Sequence, residues 1–286
     1  MAMTERKPPL RTARWLKWRP WVQFGFLFVW LDPLMLRIHS FCGPVFHCYA
    51  CPLATFACPI GIIANFSALH LIPFIALGTL AVISASVGAF ICGWVCPFGW
   101  LQDMFARIPT PKVRLPRWAG HSRYVVLVAL VIVIPFVWGD AHPLFICRVC
   151  PAGALEAAVP SMAKAAAAGE GVAWPNTIKI SVTVLFLLAL FFTWRPWCTL
   201  LCPLGAIYGL SNRFSGIFLR VSDHKCVKCG LCRKLCKYGV LPDKNPNDTR
   251  CVRCLECTKC GAITVGILAT KPSDAAAPAD VPGEDV

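Results

Sequence analysis

The chain has 286 residues, of which 57% are hydrophobic and only 15% are charged, and its mean hydropathy is +0.62. This balance excludes an ordinary soluble domain of that length and favours a protein embedded in a lipid bilayer. The net charge of +14 comes from clustered basic residues, so it indicates membrane topology, and we expect no nucleic-acid partner. The 18 cysteines lie in short clusters, a pattern typical of metal sites and not of the disulfide framework of a small secreted fold.

Four apolar segments predict membrane spans, at about 20–36, 69–91, 124–138 and 177–194. The first and third are short for a span of roughly 20 residues, so we expect their ends to extend into the interface. Asp32 and Pro33 interrupt the first segment, for which an interfacial helix is the alternative. No small-residue cleavage site follows it, which favours an uncleaved anchor.

Basic residues predict the orientation of these spans. They are concentrated in the N-terminal segment 1–19 and in the loop 104–123, whereas the segments 37–68 and 140–176 are poor in them. The positive-inside rule therefore places both termini and the 104–123 loop in the cytoplasm. We expect a multi-pass protein of the inner membrane whose other two loops face outward.

The membrane part repeats itself. Each half contains a span, a cysteine motif, a second span and a second motif: "HCYACPLA" (47–54) and "CGWVCPFG" (92–99), then "ICRVCPAG" (146–153) and "CTLLCPLG" (198–205). Because order and orientation agree, the sequence predicts a parallel repeat about an axis along the membrane normal, which would bring like motifs together.

The repeat predicts two sites of four thiols each. At the cytoplasmic rim we expect Cys92, Cys96, Cys198 and Cys202, and at the outer rim Cys48, Cys51, Cys147 and Cys150. Four thiolates suit an iron–sulfur cluster or a structural zinc, and a proline after the second cysteine forces the turn that wraps such a group. Redox-active thiols are the alternative at the inner rim and disulfides at the outer rim. Cys42 and Cys58 have no counterpart in the second half, and either a disulfide or extra ligation of the outer site would explain them.

The C-terminal region carries the most specific motifs, "CVKCGLCRKLC" (226–236) and "CVRCLECTKC" (251–260). Two such runs are typical of bacterial ferredoxins, in which three cysteines of one run and the fourth of the other hold each [4Fe-4S] cluster. One predicted cluster uses Cys226, Cys229, Cys232 and Cys260, and the other uses Cys251, Cys254, Cys257 and Cys236. Lys237 and Gly261 replace the usual prolines, and the last gap is one residue short. A zinc ribbon is the alternative, but it needs four cysteines in two pairs.

Basic residues surround these two runs. They would dock an acidic redox partner or, more simply, form a solvated face that obeys the positive-inside rule.

The predicted fold class is an all-α membrane protein with a small C-terminal α+β ferredoxin domain of the bacterial two-cluster type. Four transmembrane helices form two parallel repeats in this prediction. The predicted domains are a basic N-terminus (1–19), a first membrane repeat (20–103), a basic loop (104–123), a second repeat (124–214), the ferredoxin-like domain (221–270) and a disordered tail (271–286).

Over about residues 15–265 the chain resembles the NapH-type polyferredoxins, four-span membrane subunits that act as quinol dehydrogenases. The resemblance rests on "CGWVCPFGWLQD", "CTLLCPLGAIYG" and the double C-terminal run. It implies transfer of electrons from menaquinol or ubiquinol through iron–sulfur centres to a redox partner. That partner would be a periplasmic reductase, a cytochrome or another iron–sulfur subunit. The outer cysteines lie outside the pattern of the NapH-type subunits of periplasmic nitrate reductase systems.

These patterns favour a membrane electron-transfer protein of the quinone pool, and an oxidoreductase component is the corresponding enzyme class. Because a hydrocarbon core of roughly 30 Å separates the rims, we expect quinone near one of them. Proton release on quinol oxidation needs a carboxylate or histidine nearby, and the candidates are Asp32, Asp103, Asp140, His121 and His142. The alternatives are a factor that reduces thiols or a metal centre on the outer face, and a redox-sensing regulator, which would need a sensor domain.

Overall fold

The structure is a computed structural model, and it describes residues 14–30, 42–46, 48, 56–169, 171–172 and 174–268. The predictions for Asp32, Cys51 and the C-terminal tail concern residues outside these ranges.

The first half of the chain forms short apolar helices separated by tight breaks. A glycine with a φ of 54°, Gly88, separates the third helix from the fourth, and Cys96 separates the fourth from the fifth. The helices are α1 (Arg19–Trp30), α2 (Pro59–Ala68), α3 (Phe74–Val87), α4 (Phe90–Trp94) and α5 (Pro97–Phe105).

The second half contains the longest helix and a matching series of breaks. A π-helical turn, Trp197–Leu201, precedes the last helix and ends at Cys202. The helices are α6 (Trp118–Trp138), α7 (Ile146–Val149), α8 (151–167), α9 (Thr177–Phe192) and α10 (Pro203–Ser211).

Each predicted span contains one helix in the part of the chain that the structure describes. Within that part, only α6 is both long and apolar enough to cross a membrane, and α2, α3 and α9 are shorter apolar helices. At 1.5 Å per residue, the 16 residues of α9 extend about 24 Å. Three further helices, α2, α7 and α8, lie in the segments 37–68 and 140–176, which were predicted only as outer connections.

The halves share one apolar core. Val131 of α6, Leu190 of α9 and Tyr208 of α10 are fully buried in it. Cysteines from both halves and Cys254 of the C-terminal region belong to the same core. The cysteine motifs therefore lie where the two halves and the C-terminal domain meet.

The C-terminal domain combines a small sheet with a short helix. Strand β1 (Ile217–Val221) pairs antiparallel with β2 (Ile263–Ile267), and the central pair of the register is Leu219 with Val265. Between the strands lie α11 (Leu231–Leu235) and a 3-10 turn (Glu256–Cys260). Pairing of the first strand with the last brings both cysteine runs to the same small core, and the sheet begins four residues before the predicted boundary at 221.

Candidate metal centres

One local motif, Cys-Pro-x-Gly, occurs four times and has the same backbone each time. Its cysteine is the N-cap of a helix with φ between −72° and −68° and ψ between 111° and 124°. Proline occupies the first helical turn, where its missing N–H costs nothing, and it keeps the preceding cysteine extended. The glycine N–H faces the cysteine sulfur in each motif, and the Gly205 nitrogen lies 3.3 Å from Cys202 Sγ. The motif cysteines are Cys58, Cys96, Cys150 and Cys202.

The four cysteines predicted for the cytoplasmic rim line one cavity. Its walls are mainly apolar, and Cys251 of the C-terminal domain also lines it. The four thiols are close enough for their charges to interact. We call Cys92, Cys96, Cys198 and Cys202 the inner set.

Two buried arginines lie beside the inner set. In the sequence, Arg123 indicates only topology, and no pattern distinguishes Arg195. Arg123 is 2% exposed, lines the cavity and donates from Nη2 to the Thr249 carbonyl at 2.8 Å, while its Nε has no partner. Arg195 is 1% exposed and donates from Nη1 to the Cys92 carbonyl at 2.7 Å. Because burying a cation is costly unless an anion is near, this environment fits a group with negative charge, such as a cluster held by four thiolates.

Asp103, a predicted proton carrier, is occupied by ion pairs. Its Oδ1 accepts from Arg195 Nε at 2.7 Å, and Oδ2 accepts from both Arg195 Nη2 and Arg19 Nη2 at 2.5 Å. One residue earlier, Gln102 is fully buried and donates from Nε2 to Cys198 Sγ at 3.1 Å. The α5 helix thus supports the inner set through one charge network and one hydrogen bond to sulfur.

The other described proton candidates lie away from any cavity that holds cysteines. Asp140 and His121 are exposed. His142 packs on Trp138 and accepts from the Leu144 N–H at 3.2 Å.

The first C-terminal set surrounds a second cavity in the predicted combination. Cys226, Cys229, Cys232 and Cys260 line a space of about 390 Å³ together with Asp243. Burial and then the charge of Asp243 raise the pKa of the Cys232 thiol to about 11. Formation of four thiolates here therefore needs nearby positive charge, which bound iron supplies.

The second C-terminal set is also brought together, since Cys257 interacts electrostatically with Cys251, Cys254 and Cys236. Burial raises the pKa of the Cys251 thiol to about 12. Matching backbones support the two runs, because Lys228 and Arg253 occupy the left-handed region at corresponding positions.

Two glycines allow the C-terminal domain to dock on the helices. A β-carbon at Gly93 of α4 would lie 2.5 Å from the Val252 carbonyl oxygen, and one at Gly209 of α10 would overlap the Thr249 carbonyl. Asn212 strengthens the contact by donating from Nδ2 to the Cys251 carbonyl at 2.7 Å. The loop 249–253 thus seals one side of the inner cavity.

Among the cysteines predicted for the outer rim, the structure groups Cys48, Cys147 and Cys150, and it adds Cys58. The prediction named Cys51 as the fourth member, and that residue lies outside the described ranges. Residue 54 is alanine in the motif that follows Cys51, whereas Gly61 follows Cys58 at the same spacing. That glycine is the sequence signal that distinguishes Cys58 from Cys51. The thiol of Cys42 is separate from this group, because it faces Thr79 of α3.

In the described ranges, no three His, Cys, Asp or Glu side chains converge closely enough to hold one metal ion. The thiols instead line one cavity at the inner set and another at the first C-terminal set.

Comparison with known proteins finds an iron–sulfur domain and ferredoxin-type relatives. A model of a 4Fe-4S binding domain matches residues 69–116 and 176–222, once in each half, and each match includes one cysteine pair of the inner set. The ferredoxin-type protein NapH of Escherichia coli is 24% identical over 278 residues, which cover 90% of this chain and 88% of that protein.

Two ferredoxin-type proteins of methylamine utilization, both named MauN, also match. MauN of Paracoccus denitrificans is 34% identical over 52% of this chain and 48% of its own length, and MauN of Methylorubrum extorquens is 26% identical over 64% and 56%. The chain therefore spans about half the length of the MauN proteins. No solved structure matches it. The two 4Fe-4S domain matches and the similarity to the ferredoxin-type protein NapH along almost the whole length support the NapH-like polyferredoxin family for this chain.

Proposed function

We propose that this protein is a membrane-bound iron–sulfur protein that passes electrons between the quinone pool and a redox partner, as a quinol dehydrogenase subunit does. One observation carries the proposal: Cys251, a member of the second C-terminal set, lines the same cavity as the inner set. Three four-cysteine sets thus follow one another from the helical core to the surface of the C-terminal domain.

Exposed apolar side chains support insertion of the helices into a bilayer. Phe74 and Ile75 of α3, Leu185 of α9, and Val125 and Phe136 of α6 are each more than half exposed. Such a broad apolar surface is unfavourable in water and is expected to face lipid. We place four spans, with α1, α3, α6 and α9 as their helical parts, in the inner membrane with both termini in the cytoplasm.

Each set would hold one [4Fe-4S] cluster through its four thiolates, and a bound cluster supplies reversible one-electron transfer. The protein orients the thiols with the Cys-Pro-x-Gly turns and excludes water with the packed core. The buried guanidinium groups of Arg123 and Arg195 favour a negative group at the inner set.

The first C-terminal set suits exchange with a protein partner. Cys229 is exposed, and Lys225 and Lys228 line the same cavity. Exposure shortens the path to a partner, and the positive charge attracts an acidic surface.

A pocket beside the second C-terminal set is our candidate for the quinol head group. It is lined by apolar residues, including Trp194 at the end of a predicted span, and by the polar side chains of Thr199, Lys237, Tyr238 and Arg250. Lys237 and Tyr238 directly follow Cys236, so a ring bound here would lie beside that set. A pocket with an aromatic wall and several converging polar groups at the end of a predicted span is suited to a quinone.

Anaerobic addition of a menaquinol analogue to the full-length protein tests the proposal, with EPR following reduction. We expect quinol to reduce the centres in the wild-type protein, and the variant Tyr238→Phe to react at least several-fold more slowly while keeping its iron. Lys244→Met, at a surface lysine outside the pocket, is the control. Centres that dithionite reduces but quinol leaves oxidised would contradict the proposal.

A further inference from the structure

The cysteine group near the predicted outer rim has Cys58 as its fourth member, whereas the sequence repeat suggests Cys51. Cys58 interacts electrostatically with Cys147 and Cys48, and Cys150 interacts with Cys58, Cys48 and Cys147. We call these four residues the outer set. Their thiols come from three separate segments: the stretch around residue 48, the N-terminus of α2, and the α7–α8 turn.

The outer set repeats the local geometry of the inner set. In both, two of the four thiols are Cys-Pro-x-Gly cysteines: Cys96 and Cys202 in the inner set, Cys58 and Cys150 in the outer set. In the outer set, the N–H groups of Gly61 and Gly153 face the sulfurs of Cys58 and Cys150. The corresponding glycines face the sulfurs of Cys96 and Cys202 in the inner set, which favours thiolates in both sets.

Neighbouring residues of the outer set hold Cys48 in position and place a positive charge beside the thiols. A β-carbon at Gly153 would lie 3.6 Å from both Cys48 Sγ and Lys179 Nζ, so the ammonium group and the sulfur approach the same point. Lys179 also interacts with Cys147. The Cys48 N–H donates to Glu156 Oε2 at 2.9 Å, which anchors the incoming segment on α8.

The outer set lies near the inner set, not across the whole bilayer from it. The segment 42–46 enters the core, where Val45 and Phe46 are buried and line the inner cavity. The Phe46 N–H faces the sulfur of Cys96. Cys48, the first member of the outer set, is two residues further along the chain. The α-carbons of Phe46 and Cys48 are therefore at most about 7 Å apart. This inward path removes the obstacle of a roughly 30 Å gap between the rims.

We infer that Cys48, Cys58, Cys147 and Cys150 form a further site for an iron–sulfur cluster, close to the inner set. The site stands on its own geometry, and only its use in a relay rests on the proposed function. Cys51 is not a ligand in this assignment, although it also precedes a proline.

The test compares Cys58→Ser with Cys51→Ser in the full-length protein purified without oxygen. We expect Cys58→Ser to lose about a quarter of the bound iron and sulfide, since one of four clusters is absent, and Cys51→Ser to keep all of it. Loss of iron from Cys51→Ser with retention in Cys58→Ser would overturn the assignment, and so would unchanged iron in both variants.

Thiol labelling of the wild-type protein provides a second measurement that does not depend on how well a variant folds. Cys58 should resist alkylation in the intact protein and react after iron chelation with no added reductant. Labelling of Cys58 in the intact protein would indicate a free thiol, and labelling only after reduction would indicate a disulfide; both results contradict the proposal. A failed quinol reaction with these results intact would count against the proposed function alone.

Discussion

Removal of the charge of Arg123 should lower the midpoint potential of the inner centre. This guanidinium lines the inner cavity and is almost fully buried. In the described part of the chain it donates to the Tyr124 hydroxyl and the Thr249 carbonyl and to no carboxylate. A fixed positive charge favours the reduced state, because reduction adds one negative charge to the centre. The variant Arg123→Gln removes the charge and keeps a polar side chain that can still reach the Thr249 carbonyl.

The size of the effect follows from Coulomb's law. For a group roughly 8 Å from the guanidinium, an effective dielectric constant of about 20 gives a contribution of about 2 kcal/mol per unit charge. For a one-electron couple this energy corresponds to about 90 mV. We therefore expect a decrease of roughly 50–100 mV at the inner centre and a much smaller one at the exposed first C-terminal centre.

Potentiometric EPR titration measures this shift, and Cys92→Ser identifies which signal belongs to the inner centre. Arg117→Gln is the matched control, because it removes the same charge from an exposed position in the preceding loop. An inner-centre potential that stays within about 20 mV of the wild-type value, or an equal decrease in the control, would refute the electrostatic role of Arg123.

Three smaller predictions concern residues that contact the centres or hold the C-terminal domain in place. Gln102→Leu removes a hydrogen bond to an inner-set sulfur and should lower the inner potential by tens of millivolts in the same titration, with other signals unchanged. Gly209→Ala should destabilise the docked C-terminal domain by about 1–3 kcal/mol, visible as earlier thermal loss of its EPR signals, whereas Gly78→Ala, which meets no neighbour, should not. The hydrogen bonds of Arg233 lower the pKa of Asp243, so their stabilisation is present above the ordinary aspartate pKa of about 3.9 and is lost as pH falls through the lower folded value. Asp243→Asn should therefore cost less than about 1 kcal/mol in thermal melts, by the same amount at pH 8 and pH 6.

Cysteine spacing led to the same groups of thiols that line common cavities, and the role of these thiols as cluster ligands stays a prediction. The ferredoxin pattern requires each run to contribute to both sets, and Cys260 indeed lines a cavity with the first run. The repeat likewise predicted the partners of the inner set, because a parallel repeat places equivalent helix ends together. Both patterns constrain long-range contacts directly, so a single sequence was sufficient for them.

Other parts of the site depend on contacts that no spacing encodes. The burial of Arg195 and the docking of the loop 249–253 on Gly93 arise from packing between distant segments. Cys58 was recognisable in principle from Gly61, but its role appears only when α2 is seen to begin there. We infer a short distance between the outer and inner sets because residues 42–46 enter the core. Hydropathy alone does not reveal this path.

The most direct test of the account is whether the two halves share one inner centre. Iron content, with Mössbauer spectra to identify the cluster type, would be compared in Cys96→Ser, Cys202→Ser and the double variant, with Cys42→Ser as a control. A shared centre predicts that each single variant loses about four iron atoms and that the double variant loses no more than either. Losses that add in the double variant would mean separate sites in the two halves and would contradict the account.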